Sequence, residues 1–221
     1  MVMLGGSCSP CCQTIGFDSA AYFSECFPGF SVVTNISQNV AKLSGLKLVF
    51  AGYNTTNACE TAVSVRFPIN DYTAVKAWIE LGGRLVLFSE FENCLQDSAE
   101  LTTFLGVLGS TMSWVGGVVD AQCHDLSASP PRDRRCTAGA ANIAQGLNGD
   151  IYMAASAEIS GGTSVFFSSS GKLIFAVEQL GNGFLFLCGD ASMRPNNCGG
   201  LHESNCEFFG RLYDYADGDI L

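Results

Sequence analysis

Apolar and polar positions alternate along the chain in two rhythms. "RLVLF", Arg84 to Phe88, is a continuous apolar run of strand length, the pattern of a central parallel strand covered on both faces. Before it, Asp71 to Leu81 places Val75, Trp78 and Ile79 on one face at helical spacing. Asn70 is placed to cap that helix, and Gly82–Gly83 to end it. The same logic predicts a helix over Phe17–Phe27 with Asp18 as its cap, and a strand over Ser31–Ile36. A short helix is predicted over Gln38–Leu43 and a buried strand over Leu46–Ala51. Leu101–Leu108 reads as a helix, and Met112–Val119 as a strand made irregular by Gly116–Gly117.

The second half changes character. Ile151–Ala155, Thr163–Phe167, Lys172–Gln179 and Gly183–Cys188 read as short strands separated by glycine and serine turns. "SSSGK" and "LGNGF" have hairpin-turn composition. An amphipathic helix, Ser204–Tyr215, closes the pattern with Phe208, Phe209, Leu212 and Tyr213. Alternating helix and strand in the first half, followed by hairpins, predicts one α/β domain whose parallel sheet is extended by antiparallel strands. That domain is expected over residues 17–221, preceded by an extended arm over residues 1–16.

Composition changes the picture in two ways. The 221 residues are 48% hydrophobic but only 14% charged, against about 25% charged in ordinary soluble domains. So thin a charged coat is the mark of a surface that other protein covers. The net charge of −10 argues against a nucleic acid partner, which needs clustered lysine and arginine. Arg132, Arg134 and Arg135 do cluster, but Asp133 interrupts them, and they read as a solvated loop. No apolar run approaches the ~20 residues of a membrane helix. The opening residues lack the basic and apolar regions of a secretory signal.

Eleven cysteines are the second departure: Cys8, Cys11, Cys12, Cys26, Cys59, Cys94, Cys123, Cys136, Cys188, Cys198 and Cys206. Cys123 with Cys136, and Cys198 with Cys206, are candidate local disulfides, each closing a loop of about ten residues and contributing ~2–4 kcal/mol. Cys59 and Cys94 both follow strands and are a further candidate pair. Cys188 reads as a buried thiol in an apolar strand. "GGSCSPCC" holds half of a zinc-knuckle pattern in Cys8, Cys11 and Cys12. With Cys26 as a fourth ligand it offers a zinc or iron–sulfur site. The alternative is that the arm carries no cofactor and fastens by disulfides to a neighbour, reaching ~50 Å if extended. Sequence does not choose between these connectivities.

At "VKAWIELGGRLVLFSE" the chain resembles the class I glutamine amidotransferase-like (flavodoxin-like) superfamily, in its non-catalytic branch. "LTTFLGVLGSTMSW", "CTAGAANIAQGL", "GNGFLFLCGDASM" and "NCEFFGRLYDY" continue the likeness in order, from about Val32 to Tyr215. The resemblance implies a three-layer sandwich. It also implies a cysteine nucleophile at the turn after the central strand, where this chain has Ser89 and Glu90, with Cys94 later. The histidine–glutamate pair of the active enzymes has no counterpart in "LCGDASM", and His124 and His202 both fall in loops between cysteines. Ser89 and Glu90, with Asp190 and Ser192, would then line a strand-end pocket, for a hydrolase or a sugar- or ligand-binding protein. Gly181, Gly183 and Gly189 lack the order of a phosphate loop and read as turn residues.

The opening "GGSCSPCC" also looks like the cysteine-rich starts of phage virion proteins. That likeness implies a non-enzymatic structural protein of a capsid or tail, made in a host cytoplasm. Its partners would be other proteins of the assembly and copies of itself, with neither nucleic acid nor membrane.

Overall fold

The computed structural model describes residues 2–4, 31–32, 40–52, 69–89, 98–119, 136–147, 151, 156–189, 196–197, 200–201 and 203–221. The "RLVLF" run forms β4, Arg84–Phe88, buried at every position. Parallel neighbours flank it on both sides, β3 (Leu48–Gly52) and β10 (Gly183–Cys188). Burial on both faces is why these strands read as unbroken apolar runs. Beyond β3 lie β1 (Val2–Leu4) and then β2 (Ser31–Val32), both parallel. Beyond β10 the sheet turns antiparallel through β9 (Leu173–Leu180), β8 (Thr163–Phe167) and β6 (Thr137–Ala138). The result is an eight-stranded mixed sheet in the order β2-β1-β3-β4-β10-β9-β8-β6. A separate antiparallel pair joins β5 (Ser113–Val119) to β7 (Ser156–Ser160), with register shifts around Gly116. β11 (Asn196–Asn197) and β12 (Gly200–Leu201) make a second small pair.

Strand alternation gives the large sheet two different faces. Val49, Ala51, Leu85, Leu87, Leu185 and Leu187 point to one side. There they meet α1 (Tyr72–Glu80) and α2 (Ser98–Leu108) through Val75, Ile79, Phe104 and Leu108. Phe50, Phe88, Phe175, Phe184 and Phe186 belong to the core on the other side, which α3 (Glu203–Asp214) covers with Phe208, Phe209 and Leu212. That second core is a ring cluster. Phe208 lies 4.9 Å from Phe166 and 5.4 Å from Phe175, and Phe209 lies 5.6 Å from Phe50.

Several sequence expectations change. Val2–Leu4 pairs with Val49, Phe50 and Ala51 inside the sheet, whereas residues 5–16 of the expected arm lie outside the described residues. A three-residue strand followed by two glycines is too short to display a period. A strand at Ser156–Ser160 pairs outside the main sheet, whereas residues 152–155 of the strand expected at Ile151–Ala155 lie outside the described residues. The short helix expected at Gln38–Leu43 is a 3-10 turn over Val40–Gly45. Asp71, not Asn70, occupies the cap position of α1, without a side-chain cap bond. The helix expected at Phe17–Phe27 lies outside the described residues.

The two glycine turns at the start of β4 and β10 pack against one another. Gly181 sits at φ +63° in the two-residue turn that joins β9 to β10, and the amide of Asn182 donates to the Glu80 carbonyl at 2.9 Å. A Cβ on Gly183 would lie 2.1 Å from the Ile79 oxygen and 2.2 Å from the Gly83 oxygen. Both are backbone atoms, so neither can swing away. Gly183→Ala is therefore expected to lower stability by about 1–3 kcal/mol, read as a lower urea midpoint at unchanged slope.

Candidate functional site

The carboxyl ends of β3, β4 and β10 share one edge of the sheet, the edge at which open α/β sheets bind ligands. Ser89 follows β4 there, yet it is fully buried. Its amide and its hydroxyl both donate to the Cys188 carbonyl, each at 2.8 Å. The hydroxyl is thus spent in tying the ends of two adjacent strands. A serine nucleophile needs an accessible oxygen with a base in reach. Gly189, just past β10, is equally enclosed. Its amide donates to the Ile174 carbonyl at 2.8 Å, and its own carbonyl accepts from the Ala157 amide at 2.7 Å. A Cβ at Gly189 would stand 2.2 Å from the Ala157 oxygen. The backbone of β7 therefore closes the approach beside the end of β10. Glu90, Asp190 and Ser192, the other residues expected in a pocket, lie outside the described residues, as do Cys94, His124 and His202.

The cysteines divide. Cys188 is a thiol, fully buried within the aromatic core. Cys136 is also a thiol, half-buried against that core, so the Cys123–Cys136 bridge expected from the sequence is not formed. Its amide donates to the Ile151 carbonyl at 3.1 Å. Cys206, in the first turn of α3, is disulfide-bonded. Cys8, Cys11, Cys12, Cys26, Cys59, Cys94, Cys123 and Cys198 lie outside the described residues. Among the described residues no group of three or more His, Cys, Asp or Glu side chains could hold a metal ion. Among them, too, no helix is long and apolar enough to cross a membrane.

The strongest polar constellation sits at the opposite edge, and sequence reasoning missed it. Arg84 opens β4 and is fully buried. Nη1 donates to the Leu212 carbonyl at 2.7 Å and the Tyr213 carbonyl at 3.4 Å. Nη2 donates to the Tyr215 carbonyl at 2.5 Å and to Asp217 Oδ1 at 2.6 Å. These carbonyls are the unsatisfied acceptors at the end of a helix, which a cation is suited to cap. Lys47 stands nearby with Nζ 5.3 Å from the Tyr213 ring centroid. Burial first, and the Arg84 charge second, hold its amino group below the usual lysine value, against the pull of Asp217 and Asp214. On the helical side, Glu178 accepts from Ser110 Oγ at 2.5 Å, the Thr111 amide at 2.9 Å and Thr111 Oγ1 at 2.7 Å. That carboxylate pins the α2–β5 loop to β9. The signal for Arg84 was a lone cation at the head of an apolar strand, but its partners lie more than a hundred residues away.

No family model and no curated protein sequence matches the chain. Solved structures do resemble it. Cytoplasmic Protein STM3548 from Salmonella typhimurium aligns over 96% of both chains with a TM-score of 0.57 at 9% identity. The N-terminal domain of mmIFT52 aligns over 83% of this chain and 82% of that one, with a TM-score of 0.54 at 13% identity. A β-galactosidase from Rahnella sp. R3 aligns over 83% of this chain with a TM-score of 0.51 at 15% identity. The chain spans only 24% of that enzyme's length. Likeness at this identity is a likeness of fold alone.

Proposed function

We propose that the chain is a non-enzymatic structural component of a large assembly, a phage virion being the assembly its opening residues resemble. In this proposal its body is a flavodoxin-like, class I glutamine amidotransferase-like three-layer sandwich without catalytic machinery, and it carries no cofactor. Support comes above all from Ser89. At the turn where the amidotransferase-like enzymes carry their nucleophile, this chain has a buried hydroxyl bonded to the Cys188 carbonyl. The sparse charge of the chain fits a surface destined for contact with other proteins and with copies of itself.

The attachment device is narrower than an arm running from residue 1. Val2–Leu4 lies between β2 and β3, and in this reading the fastening residues are Cys8, Cys11 and Cys12. Deleting residues 1–16 removes a strand and is expected to lower the melting temperature by about 4 °C or more. The cleaner test keeps β1 and replaces Cys8, Cys11 and Cys12 together by serine. The variant should stay folded and soluble, and lose the disulfide-linked oligomers seen on a non-reducing gel and its incorporation into particles. Incorporation at the normal level would refute attachment through these cysteines. Turnover of a glycoside or ester by the native chain, abolished by Ser89→Ala, would establish the hydrolase alternative with Ser89, Glu90 and Asp190 as its pocket. Stoichiometric zinc or iron in the purified chain would instead point to a metal site at Cys8, Cys11, Cys12 and Cys26.

A further inference from the structure

A helix on a protein surface normally turns charged residues away from the core. α1 and α2 do not. Ala74, Ala77 and Leu81 face outward on α1, and Ala99, Gly106 and Val107 on α2. Leu81 is 83% exposed, and Ile69, in the turn before α1, is 67% exposed. Thr102 and Thr103 share the outward face of α2. Their hydroxyls donate back to the Ser98 and Ala99 carbonyls at 2.7 and 2.8 Å, which leaves their methyl groups to meet a partner. Among the exposed residues of the two helices Glu80 carries the one charge, and Lys76 stands 4.0 Å from it. Glu100 is half-buried and accepts from the Tyr72 hydroxyl at 3.1 Å. Tyr72 and Phe104, with ring centroids 4.5 Å apart, hold the helices side by side, so the two faces form one patch.

Gly106 points outside the chain for its reason. It lies within α2, where glycine is a poorer helix former than alanine. A Cβ built on it meets no atom within 4 Å among the described residues, so none of them calls for a glycine. A missing side chain is of use where another backbone approaches closely. Charge selects what approaches. The chain carries a net charge of −10, and a basic partner would be drawn to the acidic parts of its surface. A patch without net charge suits a partner as acidic as this chain, because like charges are not set opposite one another there. A second copy is such a partner, and a two-fold axis makes the patch its own complement. Helices of 9 and 11 residues are about 14 and 17 Å long and lie about 10 Å apart. The patch is thus on the order of 300–400 Å² per copy, about half of the ~800 Å² per partner of a stable dimer. Contact across it is weak by itself and gains weight where many copies are held together.

We propose that the outward face of α1 and α2 is a contact between two copies of the chain, related by a two-fold axis that brings their Gly106 residues together. The proposal rests on the reading of the chain as a building block that meets copies of itself, and it makes no use of the cysteines. Sedimentation velocity of the full oxidised chain, from about 10 µM to 1 mM, tests it. A dimer that dissolves on dilution should appear, and a non-reducing gel counts any disulfide-linked species separately. Gly106→Glu should raise its dissociation constant at least tenfold. Thr137→Glu places the same charge on exposed β6, at the far edge of the sheet, and should leave the constant within twofold. Gly106→Ala should raise the melting temperature of the monomer by about 1–3 °C and still weaken the dimer threefold or more, which separates loss of contact from loss of fold. A chain that stays monomeric at the highest concentration would overturn the proposal, as would equal effects of the two glutamate variants. A reversible dimer without disulfide-linked oligomers would support this contact and count against fastening by Cys8, Cys11 and Cys12. Linked oligomers without a reversible dimer would do the reverse.

Discussion

Arg84→Ala is expected to destabilise the chain by about 3–5 kcal/mol, the cost of leaving main-chain acceptors without donors. The guanidinium satisfies three main-chain carbonyls at the end of α3, and each buried acceptor left without a donor costs about 1–3 kcal/mol. The ion pair with Asp217 is the smaller part. The Asp217 side chain is 55% exposed, so its charge is largely screened. Asp217→Asn should therefore cost less than about 1 kcal/mol. Arg84→Lys should fall between the two, since an ammonium keeps the charge and loses the planar fork that reaches several carbonyls at once. Urea unfolding is the appropriate measurement, because guanidinium chloride would screen the pair under study. Equal costs for Arg84→Ala and Asp217→Asn would show that the ion pair, not the carbonyl cap, holds the segment.

Phe208→Ala should cost a similar amount, about 3–5 kcal/mol. The ring is fully buried, at edge-on or tilted contact with Phe166, Phe175 and Phe209. Removing it leaves a void walled by side chains of β8 and β9, which the rigid sheet cannot collapse to fill. Phe208→Leu keeps most of the volume and should cost about 1 kcal/mol. Urea midpoints of the two variants measure the difference. If the two cost the same, the loss comes from the ring interactions and not from the cavity.

The elements that were legible in the sequence are those whose burial is symmetric or strongly periodic. Arg84–Phe88 and Gly183–Cys188 are apolar at nearly every position because both faces are covered, and their bounds match the structure. α1 was legible through Val75, Trp78 and Ile79 on one face. Val2–Leu4 was not, because three residues show no alternation and its partners lie some fifty positions on. Ser156–Ser160 was missed because "SAEIS" is mixed in polarity, and its burial depends on β5 from a distant part of the chain. At the candidate site, sequence placed Ser89 correctly after the central strand. It had no means of anticipating that the hydroxyl is turned to a carbonyl ninety-nine residues later.

The division of the core into a phenylalanine cluster under α3 and a second core under α1 and α2 also fixes what optical probes report. Both tryptophans of the chain, Trp78 and Trp114, belong to the core that α1 and α2 cover, and Trp78 Nε1 donates to the Leu46 carbonyl at 3.0 Å. Their fluorescence is consequently blind to events across the sheet. The phenylalanine rings around α3 contribute to near-ultraviolet circular dichroism instead. A melt followed by emission alone would look like a single cooperative loss even if the opposite layer had already come apart, and only non-coincidence of the two signals would expose the earlier step.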